Sequence, residues 1–196
     1  MPVSGNIDPL ERFSRWMKEA LESEPSEPTA MSLATVDAEG RPSERMVLLK
    51  DWSDDGFVFY TNMGSRKARH LAANPNAALC FHWKSLKRQV RIEGLAHQVD
   101  DDTADAYFAS RDRGSQIGAW ASHQSQPLES RFALEKEVAR FATKFNIGKI
   151  PRPPFWSGFR VVPERLEFWA FGRFRLHDRL LYRRTADGWD TERLYP

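Results

Sequence analysis

The sequence predicts a mainly β protein of the α+β class, an antiparallel barrel or curled sheet with helices packed outside it. Three observations carry that expectation. Short runs rich in β-branched and aromatic residues are joined by tight turn signals such as Asp37-Ala-Glu-Gly40 and Asp54-Asp-Gly56, which suit antiparallel rather than parallel strands. Helical stretches cluster in the middle of the chain, and strand signals return in the tail. Seven tryptophans and 13 phenylalanines are enough to fill a core, line an interface or wall a ring-shaped ligand.

A helix opens the chain at about residues 8–23. Asp8 can cap it, Pro9 fits its first turn, and Leu10, Phe13, Trp16, Met17 and Leu21 form one apolar stripe. Strands are expected at Met31–Val36, Ser43–Asp51 and Phe57–Thr61, then a short helix from Ser65 that Pro75 stops. Two more strands follow at Ala77–Trp83 and Gln89–Val99. Helices are expected at Asp101–Ser110, about Ser115–Ala121 and Leu128–Phe145, the last with Phe132, Leu134, Val138, Phe141, Ala142 and Phe145 at helical spacing. After Pro151-Arg-Pro-Pro154 the chain returns to strands at Gly158–Val162, Arg165–Phe171, Phe174–Arg184 and Trp189–Tyr195. All 196 residues are expected to form a single domain.

Composition excludes several classes. The 29 Lys and Arg nearly cancel the 27 Asp and Glu, which argues against a general polyanion or nucleic-acid binder, so local basic clusters matter more than the sum. The single cysteine, Cys80, permits no internal disulfide and reads as a buried strand residue rather than a reactive thiol. Without a signal-like start or a bilayer-length apolar run, a cytoplasmic protein off the membrane is the expectation. The five histidines show no metal-ligand spacing, and neither a Gly-x-Ser-x-Gly elbow nor a Gly-x-Gly-x-x-Gly loop is present. No metal is expected.

Several clusters suit phosphate. Ser65-Arg66-Lys67 combines a helix N-cap with two cations. Cations there oppose the helix dipole, a cost that hints at an anion, although a solvated basic first turn would read the same. Arg45-Met-Val-Leu-Leu-Lys50 is an apolar run bracketed by cations. On one regular strand those two would face opposite sides and share no contact, and surface cations would look alike. Gln89, Arg91 and Glu93 fall on one strand face, where the amide of Gln89 could meet a heterocycle or simply be solvated. Tyr107, Arg111 and Ser115 bring a phenol, a guanidinium and a hydroxyl together through a turn into a helix start. The densest cluster is Trp169-Ala-Phe-Gly-Arg-Phe-Arg175-Leu-His177-Asp-Arg179. Read as a strand, it directs Arg173, Arg175, His177 and Arg179 to one face and Phe174 and Leu176 to the other.

The segments RMVLLK (45–50), FYTN (59–62), GSRKA (64–68), RQVRIEG (88–94), YFASRDRGSQIGAWAS (107–122), QS (124–125), FWSGFRV (155–161), EFW (167–169), RLHDR (175–179) and RLYP (193–196) run in order over nearly the whole chain. On them the sequence resembles the pyridoxamine 5′-phosphate oxidase family, also called pyridoxine 5′-phosphate oxidase. The resemblance implies an FMN-binding antiparallel split β-barrel that works as a homodimer, each flavin site built from both subunits. It implies that Arg45, Lys50, Tyr60, Thr61, Arg66, Lys67, Gln89, Gln124, Ser125, Trp169 and Arg179 hold FMN, with Arg66 and Lys67 on its phosphate. Lys50, Tyr107, Arg111 and Ser115 would meet the substrate phosphate, and Arg175 and His177 would hold the pyridine ring and serve as the catalytic pair. The implied reaction oxidises pyridoxamine or pyridoxine 5′-phosphate at C4′ to pyridoxal 5′-phosphate, with O2 as acceptor and hydrogen peroxide as second product. Family members carry a longer N-terminal arm. With seven residues ahead of Asp8, most of it is expected to be missing here. The alternative expectation is a non-catalytic split-barrel protein that binds flavin or pyridoxal phosphate.

Overall fold

The structure, a computed structural model, describes residues 7–196; the expected short arm lies outside the described residues. Helix α1 (Pro9–Ser23) starts as the sequence dictates. The Asp8 carboxylate accepts from Leu10 N at 2.8 Å and Glu11 N at 3.2 Å, and Pro9 occupies a position where a missing N–H costs nothing. The chain continues through β1 (Ala30–Val36), β2 (Pro42–Leu48), β3 (Asp51–Ser53), β4 (Gly56–Asn62), α2 (Arg66–Ala73), β5 (Asn76–Trp83) and β6 (Arg88–Gln98). Helices α3 (Asp101–Ser110), α4 (Arg113–Ala121) and α5 (Arg131–Lys144) come next, then β7 (Trp156–Ala170), β8 (Asp178–Thr185) and β9 (Gly188–Arg193).

The strands form one nine-stranded antiparallel sheet in the order β2-β1-β5-β6-β7-β4-β3, with β8 on β7 and β9 on β8. Strand β7 makes the fork. Its first part, Trp156–Val161, pairs with β4, and its second, Arg165–Ala170, pairs with β8, while β6 runs along its other edge. The register of β6 on β7 shifts between Glu93 and Gly94, where a side chain at Gly94 would stand 2.0 Å from Val162 O. Only glycine permits that approach, and Pro163 opposite it has no N–H for the ladder. The sheet curls into a split barrel, and α1 packs its apolar face into the barrel's core. Phe13 is fully buried there, edge-on to Phe57 at 4.9 Å and Phe81 at 5.2 Å. Among the described residues no helix is long and apolar enough to cross a membrane.

Five expectations change. The strand expected over Ser43–Asp51 is two, because β2 pairs with β1 while β3 pairs with β4, and the chain turns at Leu49-Lys50 between them. Gly158–Val162 and Arg165–Phe171 are one strand, since β6 spans both. The expected strand start at Phe174 is wrong: residues 172–177 form a loop around a 3-10 turn, with Phe174 at φ 57° and Arg175 at φ 66°. The apolar stripe of α5 is only partly used, for Phe141 packs on Trp120 whereas Phe132 is 73% exposed. Cys80 is half-buried rather than buried, and burial raises its thiol pKa, which keeps it unreactive.

Candidate functional site

A cleft of about 970 Å³ opens between β2, β4, α2, the α3–α4 corner and the segment after α4. Arg45, Lys50, Tyr60, Thr61, Arg66, Lys67, Tyr107, Arg111, Ser115, Gln124 and Ser125 all line it. Arg45 and Lys50 therefore share a cavity, contrary to the strand-parity expectation; β2 has ended before Lys50, so alternation does not carry across.

One corner is built on the start of α2. Ser65 caps the helix by accepting from Ala68 N at 3.4 Å. Asn62 Nδ2 donates to Ser122 O at 2.9 Å and ties the segment after α4 to β4. Ser125, at φ 69°, then accepts from Arg66 N at 3.2 Å. Lys67 Nζ donates to Gln124 Oε1 at 2.9 Å and Thr61 Oγ1 at 3.1 Å. Across the corner, Arg45 donates to Thr35 Oγ1 at 2.7 Å, Ser43 Oγ at 2.8 Å and Leu33 O at 3.0 Å. Burial, and Arg45 beside it, bring the Lys67 ammonium down to about 8. Burial and Arg66 likewise lower Arg45. Among the described residues no carboxylate pairs with Arg45, Lys50, Arg66, Lys67 or Arg111.

The second corner is aromatic. Tyr60 stacks on Tyr107 at 3.9 Å and on Trp156 at 5.3 Å, and burial raises the Tyr60 phenol. The Arg111 guanidinium lies 5.0 Å from the Trp156 ring centre, and its buried Nη1 has no hydrogen-bond partner. Burial disfavours its charge too. Asp112 next to it is committed to capping α4, accepting from Ser115 N at 2.8 Å, and those Ser115 contacts hold its carboxyl below the usual range. The donors suit a phosphate, and the flat walls suit a planar ring.

A second cluster lies apart, off the cleft of its own chain. Gln89, Trp169 and Arg179 are direct cross-strand neighbours on β6, β7 and β8. Arg179 Nε donates to Glu167 at 2.8 Å, a contact that raises its pKa. The His177 ring packs 4.6 Å from that of Trp169, and its Nδ1 accepts from Gly172 N at 3.2 Å. Neutral His177 thus carries its proton on Nε2. Arg175 is exposed at the tip of the loop, so Arg175, His177 and Arg179 do not share a strand face. Residues not expected from the sequence are Thr35 and His70, which link Arg45 to Arg66, and Gly172, which shapes the loop. His70, four residues after Arg66 on a helix, was the one with a spacing signal.

Fold and cleft define a class: a split barrel with a net cationic, aromatic-walled cleft that suits a planar phosphorylated ligand. Residues 17–145 match the family model described as pyridoxamine 5′-phosphate oxidase, and residues 156–196 match the pyridoxine 5′-phosphate oxidase C-terminal dimerisation region. The chain belongs to the pyridoxamine 5′-phosphate oxidase family. It is 59% identical over 194 residues to the pyridoxine/pyridoxamine 5′-phosphate oxidase of Rhodospirillum rubrum, covering 96% of each chain. The crystal structure of PhzG from Burkholderia lata 383, in complex with tetrahydrophenazine-1-carboxylic acid, superposes with a TM-score of 0.92 at 32% identity, covering 98% of this chain and 95% of that one. A pyridoxamine 5′-phosphate oxidase-related, FMN binding protein from Nostoc punctiforme PCC 73102 shares the fold, with a TM-score of 0.78 at 18% identity over 97% of this chain and all of the other.

Proposed function

We propose that this protein oxidises pyridoxine 5′-phosphate and pyridoxamine 5′-phosphate to pyridoxal 5′-phosphate as a homodimer, with FMN as cofactor and O2 as acceptor. The observation that carries this reading is the pair of donor sets in one cleft, whose cations form no salt bridge with the Glu44 and Asp112 carboxylates that also line it. Arg45, Arg66, Lys67 and Ser125 suit the FMN phosphate, with Lys50, Tyr60, Thr61 and Gln124 along the rest of the cofactor. Lys50, Tyr107, Arg111 and Ser115 suit the substrate phosphate, and the orphaned Arg111 Nη1 is the donor most in need of it.

The match to a dimerisation region over residues 156–196 supports the second half of the assignment. In a homodimer the partner subunit's Gln89, the partner subunit's Trp169 and the partner subunit's Arg179 would complete the flavin site. The partner subunit's Arg175 and the partner subunit's His177 would close on the pyridine ring, the first by ion pairing and stacking, the second through an Nε2 proton. Bound FMN supplies the two-electron acceptor and returns the electrons to O2. The alcohol and one O2 give the aldehyde and hydrogen peroxide; the amine needs one water more and releases ammonia. The protein's part is to orient C4′, exclude water and hold both phosphates.

An aerobic assay of the purified protein with pyridoxine 5′-phosphate tests this. Pyridoxal 5′-phosphate and peroxide should appear in equal amounts from a yellow protein. A yellow protein with no turnover would instead be a flavin holder, and a colourless one that binds pyridoxal 5′-phosphate a carrier.

A further inference from the structure

His70 belongs to no set assigned above, yet it joins two of the phosphate-facing cations. It lies in the last turn of α2 and is 8% exposed. Its Nε2 accepts from Arg66 Nε at 3.4 Å, and its Nδ1 lies 3.2 Å from Thr35 Oγ1. Thr35, fully buried on β1, accepts from Arg45 Nη1 at 2.7 Å through the same oxygen. Arg45, Thr35, His70 and Arg66 form one unbroken chain beneath the anion corner.

The donor inventory decides how that chain is protonated. A guanidinium only donates, so His70 Nε2 must offer its lone pair to Arg66. The single proton of the neutral ring then sits on Nδ1 and goes to Thr35 Oγ1, whose other lone pair receives Arg45. A second proton on the ring would set N–H against N–H at Arg66. It would also add a third positive charge between Arg45 and Arg66. Those two are the charged groups facing the ring. Glu44 on β2, which acts on Arg45, is bonded to Ser32, and Arg69 on α2 is turned to Gly64 O.

We propose that neutral His70 is a positioning residue that sets Arg45 and Arg66 for a phosphate, and that its protonation loosens that grip. The proposal rests on the reading of this corner as the FMN phosphate site. A doubly protonated ring keeps no lone pair for Arg66 Nε, so that guanidinium loses the acceptor that holds it.

The test is FMN affinity of flavin-stripped protein, read by quenching of flavin fluorescence from roughly pH 8 to pH 5.5. Wild type is compared with His70→Gln and His70→Leu. Glutamine can accept from Arg66 and donate to Thr35 but cannot take up a proton; leucine does neither. At pH 8 His70→Leu should bind about tenfold more weakly than wild type, and His70→Gln should recover most of that loss. Because a phosphate ester itself titrates near pH 6, the informative quantity is the difference between wild type and His70→Gln. Wild type should lose more affinity than His70→Gln on acidification, because only the imidazole can lose its acceptor for Arg66. Parallel pH curves, or equal affinity of wild type and His70→Leu at pH 8, would overturn the proposal. If His70→Leu does not fold, the wild-type and His70→Gln curves still decide it. A wild-type protein that binds no FMN at any pH would instead overturn the functional reading.

Discussion

Gly172→Ala separates the loop from the cleft. A Cβ at position 172 would stand 1.7 Å from Leu176 O, 2.5 Å from its carbonyl carbon and 3.1 Å from His177 N. All three are backbone atoms, so no rotamer relieves the clash. Bringing the first contact to an ordinary separation of about 3.5 Å requires a shift of nearly 2 Å. That shift breaks the 3.2 Å bond from Gly172 N to His177 Nδ1, which fixes both the tilt of the ring and its tautomer. The cost to folding should be small, about 0.5–1.5 kcal/mol, because the lost hydrogen bond is the main term. Phe174 at 90% and Leu176 at 70% exposure move without opening the core. Turnover should suffer far more, since a misplacement of about 1 Å costs on the order of 100-fold. The variant should fold, melt within about 5 °C of wild type, keep flavin and lose about 100-fold in kcat/KM for pyridoxine 5′-phosphate. Wild-type turnover would refute the role given to the loop, and loss of flavin in step with activity would refute its independence from the cleft.

Further outcomes are expected. Lys67 ordinarily titrates at 10.5 and is brought to about 8 in the cleft. Between those values the unfolded chain binds the proton that the folded one releases, so stability of the flavin-free protein should rise with pH across that window. A phosphate restores the ammonium, so FMN affinity should fall above pH 8 by at most about tenfold per unit, and Lys67→Met should flatten the profile in a titration from pH 7.5 to 9.5. Arg66→Ala should weaken FMN retention by about tenfold or more, measured as released flavin fluorescence, whereas Arg175→Ala should keep the flavin and lose most turnover. Phe13→Ala, which leaves a cavity in the core beside Phe57 and Phe81, should cost about 3–5 kcal/mol in urea unfolding.

The sequence carried element type better than element extent, for definite reasons. Caps and breakers are local chemistry, so Asp8, Pro9, Ser65 and Pro75 marked their helix ends well. Whether Arg45 and Lys50 share a strand depends instead on where β1 and β4 stand, which no local pattern states. The loop at 172–177 was hidden for a related reason. Arg-Phe-Arg-Leu-His alternates like a strand, but the left-handed backbone at Phe174 and Arg175 and the close approach at Gly172 are set by the return onto β7. Among the site residues, Ser65-Arg66-Lys67 could be read because a capped helix start with cations conflicts with its own dipole. Thr35 could not, and for His70 only the four-residue spacing from Arg66 was visible, since the link of the two runs between β1 and α2.

The way this chain uses its carboxylates argues further for an anion as the partner of the cleft. Where a half-buried cation serves the fold, an acid meets it: Arg152 has Asp101 and Asp105, and Arg179 has Glu167. Arg111, also part-buried, has Asp112 next in sequence, yet that carboxylate faces the α4 N-terminus and leaves Nη1 unpartnered. With 29 cations against 27 acids, the chain does not lack acids to spend. Unpaired cations gathered in one cleft repel each other, and those part-buried there pay desolvation, which is why Lys67 and Arg45 are both shifted toward their neutral forms. A dianionic phosphate reverses each of those terms at once. Flavin binding should therefore stabilise the fold by more than its contact area alone implies, and added salt should erode that excess by screening cations and anion alike.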